Sequence, residues 1–288
     1  MDLLTVGTFA RPPDDLALRA LQPTLGPDRA LLGGGTWLFS VPQPHLAGIV
    51  DLTALGWEPL RADDEGLTIA ATTTLATLAD VDPAAHPAWP AVALFAGCCE
   101  ALVGSRKVQH VATVGGNVCL GLPAGPMITL AAALDGVATV WGPDDGRWTA
   151  PVVDLVVGPQ RTSLVPGEVL RSIHLPARAL RGRTALRKAS LSPLGRSAAL
   201  LAGRLDDPAD GSGFTLAVTA SLPRPAVLRY AGLPDATTLA ADVAALGDGE
   251  DGVGGGWYDD PHGSPDWRRA MTLLLAEEIR AALGEVAR

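Results

Sequence analysis

Lysine is nearly absent from this chain. Among 22 basic residues in 288, only Lys107 and Lys188 are lysines, and 31 acids leave a formal charge of −9. A chain this acidic has no basic stripe for nucleic acid or an anionic membrane surface, so neither is expected as a partner. Cysteine is scarce as well: Cys98, Cys99 and Cys119. Two are adjacent and no C-x-x-C occurs, so neither a disulfide framework nor a Cys-only metal or iron–sulfur site is expected. All three read as small apolar core residues. The longest apolar stretch, residues 91–104, contains Glu100 and is too short to cross a bilayer. The first residues lack a signal-peptide pattern, since Arg11 comes too late and no cleavage-type site follows an apolar run. A soluble, cytoplasmic protein with no membrane span is the expectation. The five histidines share no metal-ligand spacing, and no P-loop lysine motif occurs. With hydrolytic machinery missing, hard chemistry would have to come from a bound cofactor.

Glycine and proline are abundant instead, at 33 and 24 residues, while hydrophobic residues make up 48%. The combination describes a folded core interrupted by many turns and loops. Short apolar, β-branched runs mark strands at residues 29–32, 49–52, 67–71, 110–114, 137–141, 152–157 and 168–175. Thr73 and Thr74 before Leu75 and Leu78 mark a capped helix start, and residues 88–103 read as a buried helix. Residues 177–183 read as a loop at a domain boundary. Beyond it, strands at 197–205, 214–220 and 226–230 form a three-stranded antiparallel sheet, with helices at 237–246 and from Ser264 to Leu283. Strands and helices without a βαβ rhythm predict an α+β fold.

Two glycine segments carry the chemistry. Gly33, Gly34, Gly35, Thr36 and Trp37 form one; Thr113, Val114, Gly115, Gly116 and Asn117 form the other. Each follows a short predicted strand. Glycine lets backbone N–H groups approach an anion without an intervening Cβ, and successive N–H groups form a nest for phosphate. Two such loops would clasp one pyrophosphate from both sides, with the Thr36 and Thr113 hydroxyls and the amide of Asn117, the sole asparagine, as further donors. A formal G-x-G-x-x-G at residues 247–252 is rejected, because it follows a helix-like segment and Asp248, Glu250 and Asp251 would repel phosphate.

With these segments the chain resembles the FAD-binding medium subunit of the molybdenum hydroxylases, the family of carbon monoxide dehydrogenase and xanthine dehydrogenase. The likeness keeps its order over nearly the whole length. It runs from residues 32–38 through Val50-Asp-Leu52 and residues 69–75, to residues 111–117 followed by Pro123-Ala-Gly125. It continues through Gly158, Arg161, Thr162 and residues 168–176, and ends with Lys188, residues 221–225 and the helix from Ser264. The resemblance implies an FAD-binding domain of the PCMH type over residues 1–177 and a smaller C-terminal flavoprotein domain over 178–288. It places FAD on Leu32, Gly33, Gly34, Gly35, Thr36 and Trp37, and on Ala112, Thr113, Val114, Gly115, Gly116 and Asn117. Leu170 becomes an apolar contact and Lys188 a cation near the flavin, where it would favour the anionic reduced form. It further implies a heterotrimer in which FAD receives electrons from a molybdopterin-containing large subunit through a small [2Fe–2S] subunit. Those electrons then pass to NAD⁺, oxygen or a quinone.

The chain departs from the family pattern at three places. Trp37 stands where the family often has an acid, Pro126 where it has an aspartate, and Trp267-Arg268 where it has Tyr-Arg. Trp37 either stacks on an aromatic ring or fills a core. Pro126 and Trp37 support a second reading, an FAD-poor scaffold subunit of the same complex; a third is a stand-alone flavin-dependent oxidoreductase.

Overall fold

A computed structural model describes residues 3–248 and 256–285, so most of the 247–252 motif lies outside the described residues. The chain opens with a small parallel sheet, ordered β1-β3-β2, from β1 (Thr8–Ala10), helix α1 (Asp15–Leu21), β2 (Arg29–Leu32) and β3 (Gly48–Asp51). β4 (Leu60–Asp63) and β5 (Gly66–Ala70) begin a second sheet. Five helices follow: α2 (Leu75–Ala79), α3 (Ala93–Ala101), α4 (Arg106–Gln109), α5 (Val114–Leu120) and α6 (Pro126–Ala133). β6 (Val137–Trp141), β7 (Arg147–Pro151), the helical turn α7 (Val152–Leu155), the ribbon β8 (Val156–Gly158) and β9 (Arg161–Thr162), then β10 (Val169–Pro176), complete this part. The second sheet is antiparallel with order β4-β5-β10-β6-β7. After α8 (Ala177–Leu180), strands β11 (Arg183–Ala189), β12 (Ala199–Leu205), β13 (Phe214–Thr219) and β14 (Ala226–Tyr230) pair in sequence as an antiparallel sheet, backed by α9 (Ala236–Ala245) and α10 (Pro265–Glu285).

The mixed helix-and-sheet architecture agrees with the expectation, and local chemistry explains most boundaries. Thr74 accepts the Thr77 N–H and caps α2, while Asp14 and Asp235 cap α1 and α9 in the same way. In α10 the buried residues Arg268, Thr272, Leu275, Ala276, Ile279 and Leu283 recur every three or four positions, and this face lies on β11 and β12.

Four expectations are corrected. Residues 177–183 are not a loop, because Ala177–Leu180 form α8 and β11 begins at Arg183. Residues 110–114 are no strand. Their β-branched side chains suggest one, but the N–H groups of Val111 and Ala112 turn back to the Val108 carbonyl, and Thr113 caps a helix. Residues 152–157 are a strand only at their end, because Pro151 starts a helical turn that buries Val152 and Leu155 on one side. The C-terminal sheet has four strands, not three. The extra strand, β11, is half-buried at every position and carries Arg183, Arg187 and Lys188, so it shows no clean alternation.

Two buried arginines tie the parts together. Arg204, on β12 and 1% exposed, donates to the Ala133 carbonyl at the end of α6, to Asp135 at 2.8 Å and to Asp206 at 2.5 Å. Asp135 also meets Arg229 and Arg178. Burial alone would raise the Asp135 carboxyl; the Arg204, Arg229 and Arg178 guanidinia hold it below its ordinary range instead. Arg268 donates to the carbonyls of Gly263, Ala198 and Ala220 and to Asp260, fixing α10 to the sheet.

Candidate functional site

The sheet order brings the end of β2 against the segment that links α4 to α5, and a cleft of about 550 Å3 opens between them. One wall is the first glycine segment. A Cβ on Gly34 would fall inside the Val111 carbonyl oxygen, and one on Gly33 would fall on the Thr113 hydroxyl. Gly35 has φ +69° and faces the Phe39 ring. No side chain other than hydrogen fits at these positions, so the backbone itself forms the surface. Among the described residues, no protein group accepts a hydrogen bond from any N–H between residues 33 and 37. This wall is a run of open donors, the arrangement that an anion requires.

The opposite wall is built differently. Thr113 Oγ1 accepts the Gly116 N–H at 3.1 Å, Asn117 N–H returns to the Thr113 carbonyl, Val114 N–H donates to Thr73, and Gly115 N–H donates to Ala71. Every one of these amides is already taken, so the second segment is no nest. Gly115 is glycine because a Cβ would come to 2.5 Å from the Ala71 side chain, a packing reason rather than a ligand reason. What this wall offers is side chains. Asn117 Oδ1 accepts the N–H of Met127 at 3.0 Å, which leaves its amide nitrogen as a donor on the cleft. Pro126 occupies the first position of α6, where an N–H is not needed, and is buried there.

The structure therefore brings Leu32, Gly33, Gly34, Gly35, Thr36 and Trp37 together with Ala112, Thr113, Gly116 and Asn117 around one space. Val114 and Gly115 point away from it into packing. Leu170 does not line it either, because its position in β10 aims it into the core. Lys188 sits on β11 opposite Leu200, off the cleft, with burial lowering its pKa. Cys98 and Cys99 are buried as expected, and burial pushes the Cys99 thiol up to about 12. Cys119 instead is exposed and lines the cleft.

Sequence reading missed the apolar floor, Leu102, Val103, Leu120 and Leu122, and missed Arg196, the single charged side chain on the lining. Floor residues carry no pattern apart from hydrophobicity. Arg196 comes from the turn between β11 and β12, far along the chain, where no local signal marks it.

The cradle fits a dinucleotide: a glycine-led run of backbone donors for a diphosphate, beside apolar lining for flat rings. Comparison with known proteins points the same way. Residues 13–178 match the family described as the FAD binding domain in molybdopterin dehydrogenase. The xanthine dehydrogenase FAD-binding subunit of Escherichia coli O157:H7 is 28% identical over 156 residues, covering 52% of this chain and 51% of that protein. The chain thus spans about half the length of the curated relatives it matches. Reconstituted CO dehydrogenase from Oligotropha carboxidovorans superimposes with a TM-score of 0.79 at 22% identity, over 94% of this chain and 95% of that chain. Quinoline 2-oxidoreductase from Pseudomonas putida 86 does so at 0.77 and 18%, over 97% of each. At such identities these structures share the fold. Because the family match covers more than half of the chain and includes both glycine segments, the chain belongs to the family of FAD-binding domains of molybdopterin dehydrogenases.

Proposed function

We propose that this chain is the FAD-carrying electron-transfer subunit of a molybdenum hydroxylase-type oxidoreductase. The observation that carries the reading is the first glycine segment, where no group among the described residues accepts from any N–H from 33 to 37 and Gly33, Gly34 and Gly35 bring side-chain-free backbone to the cleft. These N–H groups hold the diphosphate of FAD. The Thr113 hydroxyl and the Asn117 amide orient it from the other wall, and Leu102, Val103, Leu120 and Leu122 exclude water from the rings. FAD supplies redox chemistry that no side chain of this chain offers, taking up electrons from one partner and releasing them to another. The chain contributes binding and orientation.

On this reading the partners are a small [2Fe–2S] subunit and a large molybdopterin subunit, and the acceptor is a small molecule. The chain divides into an FAD-binding part, residues 1–177, and a C-terminal part, residues 178–288. No helix among the described residues is long and apolar enough to cross a membrane, and a cytoplasmic complex is the proposed setting. The assignments of Leu170 and Lys188 to the cofactor are set aside in favour of the residues lining the cleft.

The test is purification of the full chain, with its absorption spectrum and the FAD released on denaturation. One FAD per chain, reduced on mixing with a reduced [2Fe–2S] partner subunit, is expected. A colourless protein that takes up no added FAD sinks the proposal.

A further inference from the structure

The Arg196 side chain stands apart from every other group on the cleft. It is the one charged residue on the lining, and no carboxylate is found there with it. In a chain with 31 acids, no acidic side chain pairs with Arg196 among the described residues, although Arg187, Arg204 and Arg229 of the C-terminal sheet are paired. Its guanidinium lies 6.0 Å from the centre of the Trp37 ring, and Trp37 directly follows the run of open amides. The turn that delivers it is hydrogen-bonded: Gly195 N–H donates to the Ser192 carbonyl, Ser190 Oγ donates to the Ser192 carbonyl, and Ala198 N–H closes the hairpin on the Ala189 carbonyl. Arg196 also lies beyond residue 178, outside the segment that matches the family.

A guanidinium resting on an aromatic face keeps its full charge, and its in-plane N–H groups stay free to donate. Such a group beside a run of unpaired backbone donors is fitted to an anion with several oxygens, which it can meet with paired, charge-assisted bonds. We propose that Arg196, steadied by Trp37, binds the diphosphate of FAD from the C-terminal side of the cleft and is the only full positive charge to do so. The proposal rests on the cleft being the FAD site. Backbone amides of residues 33–37 hold one side of the diphosphate and Arg196 neutralises the other, so the two parts of the chain close on the same group. Arg196 is a positioning and binding residue, and the ring of Trp37 sets where its charge sits.

The test uses the full chain stripped of flavin and titrated with FAD, ADP and riboflavin at low and high salt. Arg196→Ala and Arg196→Gln are expected to weaken FAD and ADP about ten- to a hundredfold at low salt, as for loss of a hydrogen-bonded charge. Riboflavin, which has no phosphate, binds as to wild type, and the salt dependence of FAD affinity flattens. Arg196→Lys retains part of the affinity, and Trp37→Ala loses several-fold through faster release. The thermal midpoint of the flavin-free variants stays at the wild-type value. Unchanged FAD and ADP affinity in both neutral variants overturns the proposal while leaving the cleft as the FAD site. So does an equal loss for riboflavin, or a drop in the flavin-free midpoint of both, since those mark a structural role. If the wild type binds none of the three ligands, the FAD reading of the cleft falls, and this inference with it.

Discussion

The two glycine segments, residues 33–37 and 113–117, face each other across one cleft and look alike as sequence, yet they work in opposite ways. In the first, no described group accepts from the N–H groups, and the glycines are required because Gly34 meets the Val111 carbonyl while Gly33 and Gly35 meet the Thr113 and Phe39 side chains. In the second, each N–H from 114 to 117 is spent inside the protein, and Gly115 lets α5 sit against Ala71. A pair of glycines signals close approach in both cases. What approaches is decided by whether the amides already have acceptors, and that is a property of the neighbours rather than of the motif.

The comparison breaks most visibly at Gly34. A Cβ there would overlap the Val111 carbonyl oxygen, which is backbone and cannot swing aside. Gly34→Ala is expected to displace the loop and abolish FAD retention, with affinity lowered by more than about a hundredfold, or about 2.7 kcal/mol. Flavin content after gel filtration measures it. Stoichiometric FAD in this variant would show that the open amides are not the cofactor's support.

Gly115→Ala probes the other wall. The added methyl meets Ala71 at 2.5 Å and its carbonyl oxygen at 2.7 Å, so α5 must shift or the turn after β5 must yield. Overpacking of this kind costs about 1–3 kcal/mol. The cost should appear as a lower thermal midpoint of the flavin-free chain, because the contact lies behind the cleft. A variant with wild-type stability and impaired FAD binding would reverse the division of labour drawn above.

Much of this was legible in the sequence. The first glycine segment, the capped start at Thr74 and most strands of the second sheet follow from glycine, hydroxyl caps and β-branched alternation. The symmetrical clasp was misjudged for a physical reason: Val111, Thr113 and Val114 have strand propensity, but the Val108 carbonyl and the Thr113 cap capture the backbone first. β11 stayed hidden because a strand half-buried along its whole length shows no period. Pro126 read as a missing contact and is a helix start, with Asn117 satisfying the next N–H. Arg196 was unreadable, since its place depends on how a distant hairpin docks rather than on its neighbours in sequence.

Thr113 is the point where the two segments touch, and it gives the smallest but most discriminating effect. Its hydroxyl oxygen accepts the Gly116 N–H, it sits where a Cβ on Gly33 would fall, and it lines the cleft. Thr113→Val keeps the shape and removes the hydroxyl. The lost cap costs about 1 kcal/mol, and the lost donor weakens FAD by a few-fold, while Thr113→Ser restores both. Stability and affinity should therefore fall together in this one variant, whereas Gly34→Ala acts first on affinity and Gly115→Ala on stability. Thermal melts of the flavin-free chain run beside FAD titrations would read the two quantities separately. A Thr113→Val protein that moved only one of them would assign Thr113 to a single wall, and the cleft would then have to be described as two independent surfaces rather than as two segments joined at a shared hydroxyl.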